Sequence, residues 1–227
     1  MMTPLPNFLA VIFDMDGLLL DTERIAYKAW MQAAKEWGIE LPDALYFQVI
    51  GRNLTDTERI FKAHFGDSFP FHDVRQLRLN VGEALIAQHG LATRPGAVEL
   101  LVMLNTYKVP KAVATSTARE EAWRRLRIAE LSQHFEILCG GDEVERGKPA
   151  PDLFLLAAQR MGIQASACLV LEDSEYGVQA AREAGMTPLL VPDVKPPSDH
   201  GRSIAHDVFT SLHEVRQAML ASLKPLV

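Results

Sequence analysis

The sequence predicts an α/β protein: a doubly wound parallel sheet with an α-helical domain inserted into it. Three observations carry that expectation. Short, continuous apolar runs recur along the chain, each ending abruptly on polar residues. Between them lie segments with apolar residues at helical spacing. One long interval, Leu19 to about Gln88, shows helical stripes and no convincing strand. With 227 residues, 48% hydrophobic and 23% charged, the chain has ample material for a buried core, which excludes disorder as a description of the whole.

The elements follow in order. Phe8 to Phe13 is the first strand and stops at Asp14. In the insert, Ala26, Ala29, Trp30, Ala33 and Trp37 form one helical stripe, and Val74, Leu77, Val81, Ala84 and Leu85 form another. The turn Arg94-Pro95-Gly96 returns the chain to the core and starts a helix marked by Val98, Leu101 and Val102. Ala112 to Ala114 ends at Thr115-Ser116-Thr117 and is followed by a stripe of Ala122, Leu126 and Ala129. Phe135 to Cys139 ends at Gly140-Gly141-Asp142, ahead of a helix carrying Phe154, Ala157, Ala158 and Met161. Ala167 to Leu171 ends at Glu172-Asp173-Ser174, and the next helix shows the small residues Gly177, Ala180, Ala181 and Ala184, which allow close packing. Pro188 to Val191 is the last strand, and Pro192 to Gly201 reads as a surface loop. Continuous rather than alternating apolar runs suit strands buried on both faces of a parallel sheet. Strand and helix in alternation imply right-handed crossovers and a Rossmann-like core. The domain reading is a core of residues 1–18 and 89–227 and a helical domain of residues 19–88.

Several classes of function are excluded or disfavoured. A net charge of −6 argues against a protein that grips phosphate backbones, so no nucleic-acid partner is expected. No uncharged run reaches the roughly 18 residues of a membrane span, and Asp14 and Asp16 interrupt the only early apolar stretch, so neither a membrane partner nor a signal peptide is expected. Two cysteines, Cys139 and Cys168, both in apolar runs, suit buried core positions in a cytoplasmic protein. The seven histidines form no ligand pair, and no Gly-x-x-x-x-Gly-Lys-Ser/Thr loop is present. The segment Gly140-Gly141-Asp142-Glu143-Val144 matches a cyclase signature only by coincidence, because it runs straight into Arg146-Gly147-Lys148-Pro149. Trp30, Trp37 and Trp123 fall on helical stripes and are expected to pack.

The remaining polar residues stand where an open parallel sheet binds ligands, beyond the carboxyl ends of its strands. Asp14-Met15-Asp16, Thr115-Ser116 and Glu172-Asp173 lie on that edge, and Lys148 is supplied by a loop with two prolines. Carboxylates converging in this number need a cation, and an oxygen-only donor set without His or Cys points to Mg²⁺. A phosphoryl group beside that ion would be met by the Thr115 hydroxyl, backbone N–H groups and Lys148. Asp14 would then attack phosphorus to give an aspartyl phosphate. Asp16, two residues on at a turn that Gly17 permits, would protonate the leaving alkoxide and later activate water.

These motifs, in this order, resemble the haloacid dehalogenase superfamily. Asp14-Met15-Asp16-Gly17 with Asp21-Thr22 is similar to its first motif, Thr115-Ser116 to its second, Lys148-Pro149-Ala150-Pro151-Asp152 to its third and Glu172-Asp173-Ser174 to its fourth. A helical cap between the first two motifs is the arrangement of the phosphatase and β-phosphoglucomutase-like branch. The resemblance implies that Asp14 is the nucleophile and Asp16 the general acid/base. It implies that Thr115 and Lys148 hold the phosphoryl group, and that Asp14, the Asp16 carbonyl, Glu172 and Asp173 bind Mg²⁺. Ser116 joins the phosphoryl-binding set, and Arg52 and Asn53 are candidates for reading the substrate from the cap. The second aspartate of the first motif argues for phosphoryl transfer over carbon–halogen cleavage. Two departures weaken a mutase reading: Ala26 stands where the mutase pattern has His, and Arg52 directly follows Gly51 instead of lying three residues beyond it. The expected activity is hydrolysis of a small phosphorylated metabolite, a phosphosugar or a relative of one, by a monomer or weak homodimer. A sugar-phosphate mutase is the alternative, and a non-catalytic phosphometabolite-binding protein the more distant one.

Overall fold

The computed structural model describes residues 4–50, 52 and 54–223. The chain divides into two compact units. One comprises the residues up to Asp21 with those from Ala92 onward, and the other is Thr22–Leu91.

The first unit is built on a parallel sheet of six strands, β1 (Ala10–Phe13), β2 (Lys111–Ala114), β3 (Ile137–Cys139), β4 (Cys168–Glu172), β5 (Thr187–Leu190) and β6 (Asp207–Val208). Their order across the sheet is β3-β2-β1-β4-β5-β6, with every pairing parallel. The strand order reverses between β1 and β4, where Ile12 pairs with Val170 and Phe13 with Leu171. Such a reversal opens a crevice at the carboxyl ends of the two strands. All four residues of β1 are fully buried, which is why its sequence lacks alternation. Ala10 and Ile12 face a core shared with Leu153, Phe154 and Ala157 of α7 (Asp152–Met161) and Ala180 and Ala181 of α8 (Glu175–Glu183). On the opposite face Phe13 meets Phe135 edge-on, their ring centroids 5.8 Å apart. Cys139 and Cys168 are buried thiols.

The second unit is a helical bundle: α1 (Thr22–Glu36), α2 (Asp43–Val49), α3 (Leu54–Phe65) and α4 (Phe71–His89). Its centre is Trp30, which stacks on Phe61 at 4.9 Å and on Phe71 at 6.2 Å. Ala33, Leu45, Tyr46 and Val74 close the same core. Truncating an aromatic of this kind costs about 3–5 kcal/mol.

Several sequence expectations are corrected. Leu19 and Leu20 belong to the sheet-bearing unit: both are fully buried, and Leu20 bridges to Asp16 and Thr93, so the junctions fall at 21/22 and 91/92 and not at 18/19 and 88/89. Trp37 lies beyond the end of α1 and is 45% exposed, so it does not pack as Trp30 does. Ala84 is exposed on α4, whereas Ile86 is buried. In α5 (Ala97–Thr106) Val98 and Val102 face solvent, and Ala97, Leu100, Leu101 and Leu104 form the buried stripe. The stretch read as a loop from Pro192 to Gly201 contains the start of α9 (Asp199–Ile204), whose first turn is capped by the Ser198 hydroxyl accepting from Gly201 N–H. Among the described residues, no helix is long and apolar enough to cross a membrane.

Candidate active site

The site grows from the ends of β1 and β4. Asp14 follows β1, and its N–H still donates to the Leu171 carbonyl at 3.0 Å, so the sheet ladder fixes its backbone. Glu172 is the last residue of β4 and is 1% exposed. Its Oε2 accepts from the Ser174 hydroxyl at 2.9 Å and the Ser174 N–H at 3.1 Å. The same hydroxyl accepts from Gly177 N–H and caps α8. Gly177 is required there, because a Cβ at that position would lie 1.9 Å from the Glu172 carboxyl carbon. Gly17 has a second such role. Its φ is +81°, and an added Cβ would come within 2.2 Å of Asp173 Oδ2.

Lys148 reaches into this cluster from the loop before α7. Its ammonium donates to Asp14 Oδ1 at 2.5 Å, Glu172 Oε1 at 2.5 Å and the Ala114 carbonyl at 3.1 Å, which uses all three N–H donors. It also stands 4.9 Å above the ring of Phe154. Outside the cluster, Arg146 clamps Asp152 with two hydrogen bonds of 2.7 and 3.0 Å, bracketing the Lys148 segment. Burial pushes the Asp14 carboxyl up to about 8; Lys148 opposes that shift and Glu172 reinforces it. Burial alone would lower the Lys148 ammonium, but Asp14 and Glu172 outweigh it and hold it above its ordinary value. One ammonium among these carboxylates leaves the cluster short of positive charge. Carboxylate oxygens of Asp14, Glu172 and Asp173 all lie within 4.8 Å of one another, a donor set that fits a hard divalent cation.

Asp16 occupies a neighbouring position. Its Oδ2 accepts from the Thr117 hydroxyl at 2.7 Å and from the Thr115 hydroxyl at 3.4 Å, and its Oδ1 accepts from Arg125 Nη1 at 3.0 Å. Thr115 is 1% exposed, held at the end of β2 by its N–H to the Cys139 carbonyl. Ser116 is exposed, and its carbonyl is covered closely by Gly141. Thr117, which the sequence reading passed over, therefore supplies the hydroxyl that meets Asp16. Arg125 was also missed. Its signal was the Glu121–Arg125 spacing of i, i+4 on one helix face. Arg52 lies in the helical unit, where its Nε donates to the Gln48 carbonyl at 2.7 Å. It lines a pocket of about 260 Å³ together with Glu23, Trp30, Tyr46, Arg75 and Arg78. Asn53 lies outside the described residues.

Residues 8–185 match the haloacid dehalogenase-like hydrolase family. The chain belongs to that family. It is 32% identical over 177 residues to a phosphorylated carbohydrates phosphatase of Thermotoga maritima, covering 78% of this chain and 82% of the relative. It is 34% identical over 182 residues to the fructose-1-phosphate phosphatase of Escherichia coli, covering 79% and 94%. Among solved structures, a hydrolase of the family from Deinococcus radiodurans, with bound phosphate and sodium, superposes with a TM-score of 0.80 at 32% identity, covering 96% of this chain and 99% of that one. This haloacid dehalogenase-like hydrolase is a phosphoric monoester hydrolase.

Proposed function

We propose that this hydrolase is a Mg²⁺-dependent phosphatase of a small phosphorylated metabolite, a phosphosugar or a close relative, acting through an aspartyl phosphate on Asp14. The observation that supports it most is the pairing of two aspartates on one strand end with different surroundings. Asp14 is buried against Lys148, and Asp16 is held by hydroxyl and guanidinium donors. Asp14, Glu172, Asp173 and the Asp16 carbonyl would hold the ion. Once bound, it supplies the positive charge that lets Asp14 stand ionised beside a phosphoryl group.

In the proposed reaction an Asp14 carboxylate oxygen forms a bond to phosphorus while the ester P–O bond breaks. Asp16 gives its proton to the departing alkoxide. Lys148 and the Thr115 hydroxyl steady the phosphoryl oxygens, with Ser116 as a further contact. A water then attacks the phosphorus of the aspartyl phosphate, Asp16 takes its proton, and Asp14 and inorganic phosphate are regenerated. The cysteines and scattered histidines take no part.

The experiment is a panel of hexose, pentose, polyol and nucleoside monophosphates, assayed for free phosphate with and without added Mg²⁺ after chelation. Phosphate release on a subset of the sugar or polyol phosphates, lost on chelation and restored by Mg²⁺, is expected. An isomerised sugar phosphate without phosphate release would replace hydrolysis by a mutase. No turnover across the whole panel would favour a binding protein.

A further inference from the structure

Asp16 has a task that depends on where its carboxylate points, and its side chain is 27% exposed just past a strand end. Both of its oxygens are nevertheless held. Thr117 fixes one at 2.7 Å and Arg125 fixes the other at 3.0 Å. Arg125 is itself tied down: its Nε donates to Glu121 Oε1 at 2.7 Å, one turn back on α6 (Arg119–Ile128). Glu121 also takes Arg124 through two bonds of 2.6 and 2.7 Å, which anchors the acceptor. Burial works against the Arg125 charge, yet Asp16 and Glu121 more than offset it and hold the guanidinium above its ordinary value.

We propose that Arg125 is a positioning residue for Asp16, so that the Glu121–Arg125 pair on α6 sets the orientation of the proton-carrying carboxylate. The inference rests on the proposed role of Asp16. Three features support it. The Arg125 and Asp16 side chains are only 20% and 27% exposed, so the pair is partly shielded from the solvent that weakens and loosens a fully exposed one. The guanidinium uses different edges for two carboxylates, which a lysine ammonium on a flexible stem does not reproduce. Helix α6 begins only two residues after Thr117, so the strand end carrying Thr115 and Thr117 and the helix carrying Arg125 converge on one side chain from a single short segment.

The test uses leaving-group dependence. kcat/KM covers the steps up to departure of the leaving group. An alkoxide needs a proton to depart, whereas p-nitrophenolate does not. Glycerol phosphate and p-nitrophenyl phosphate are compared for the wild-type enzyme, Arg125→Ala, Arg125→Lys, Thr117→Val and Asp16→Asn. A misplaced acid forfeits part of the 10²–10⁴-fold that general acid catalysis is typically worth. The expected result for Arg125→Ala is a loss of about 10–100-fold on the alkyl ester and less than about threefold on the aryl ester. Arg125→Lys should stay close to Arg125→Ala, and Thr117→Val should show the same split. Arg125→Lys decides the matter if Arg125→Ala does not fold. Equal losses on both esters, full rescue by lysine, or a gain in activity would overturn the positioning role. Asp16→Asn separates the two layers. If it lacks the split, the proton-carrying role of Asp16 fails and the inference falls with it. If it shows the split and Arg125→Ala does not, only the inference fails.

Discussion

The ammonium of Lys148 lies 2.5 Å from Asp14 Oδ1, and a second carboxylate, Glu172, lies as close on its other side. Both groups are buried, so this ammonium is the main local counter-charge within the chain for the negative charge they carry. Removing one member of a buried ionic group typically costs about 3–5 kcal/mol, because the remaining charge is left uncompensated. Lys148→Met should therefore lower the melting temperature of metal-free protein by several degrees. Mg²⁺ should restore part of that loss, since it would neutralise the same carboxylates. An equal loss with and without Mg²⁺ would show that ion and ammonium do not share these partners.

Burial of the Asp14 carboxyl detracts from stability. Its folded pKa, pushed up to about 8 by burial with help from Glu172, lies above the 3.8 of an ordinary aspartate. Between those two values the unfolded chain has released this proton while the folded chain retains it. Folding stability from this group is fully present below about pH 4 and falls as pH rises toward 8. Asp14→Asn removes that penalty. The variant should lose turnover entirely, yet melt higher than the wild type when both are free of metal, with the gap wider at pH 8 than at pH 5. Circular dichroism melts at the two pH values check it. A variant keeping even a tenth of the activity would exclude Asp14 as the nucleophile.

Gly177 and Gly82 offer a contrast in which one substitution has opposite signs. Alanine normally favours a helix over glycine by roughly 0.5–1 kcal/mol. At Gly82 in α4 an added Cβ would meet only the Ala29 Cβ at 3.8 Å, an ordinary contact, so Gly82→Ala should raise the melting temperature. At Gly177 the Cβ would collide with Glu172. Overpacking of this kind costs about 1–3 kcal/mol, so Gly177→Ala should melt lower and lose at least about tenfold in kcat/KM by displacing a carboxylate of the cluster. Unchanged activity would show that the position of Glu172 is not critical.

These features differ in how far the sequence reveals them. The five longer strands were legible because burial on both faces makes each an unbroken apolar run. β6 was not, since its two residues, Asp207 and Val208, are half-buried at the sheet edge. The phase of α5 was misread because Ala-Val-Glu-Leu-Leu-Val-Met-Leu is apolar almost all round, so several stripes fit it. Asp14, Lys148, Glu172 and Asp173 were legible through strand-end position and motif order. Arg125 was not, because its partner Asp16 lies 109 residues away and only the folded topology joins them. Thr117 was hidden beside Ser116, the more obvious member of the motif.

Arg52 is the candidate to test for selectivity. It shares the 260 Å³ pocket of the helical unit with Arg75 and Arg78, set against the carboxylate of Glu23. Guanidinium groups in a pocket favour anionic or many-hydroxylated partners, because they bring several fixed N–H donors. If this pocket reads the alcohol part of the substrate, Arg52→Ala should reduce kcat/KM for the best phosphosugar by about tenfold or more, while p-nitrophenyl phosphate, which offers no hydroxyls, changes little. Lys148→Ala should reduce both alike, because every substrate carries the phosphoryl group. Glycerol phosphate distinguishes this effect from that of Arg125. It is an alkyl ester, so a misplaced Asp16 slows it as much as a phosphosugar, but it is too small to present a sugar's full set of hydroxyls. Arg52→Ala should therefore spare glycerol phosphate relative to the phosphosugar, and Arg125→Ala should not. If Arg52→Ala lowers all three esters by one factor, or lowers none, Arg52 does not determine selectivity, and Arg75 and Arg78 in the same pocket become the residues to substitute.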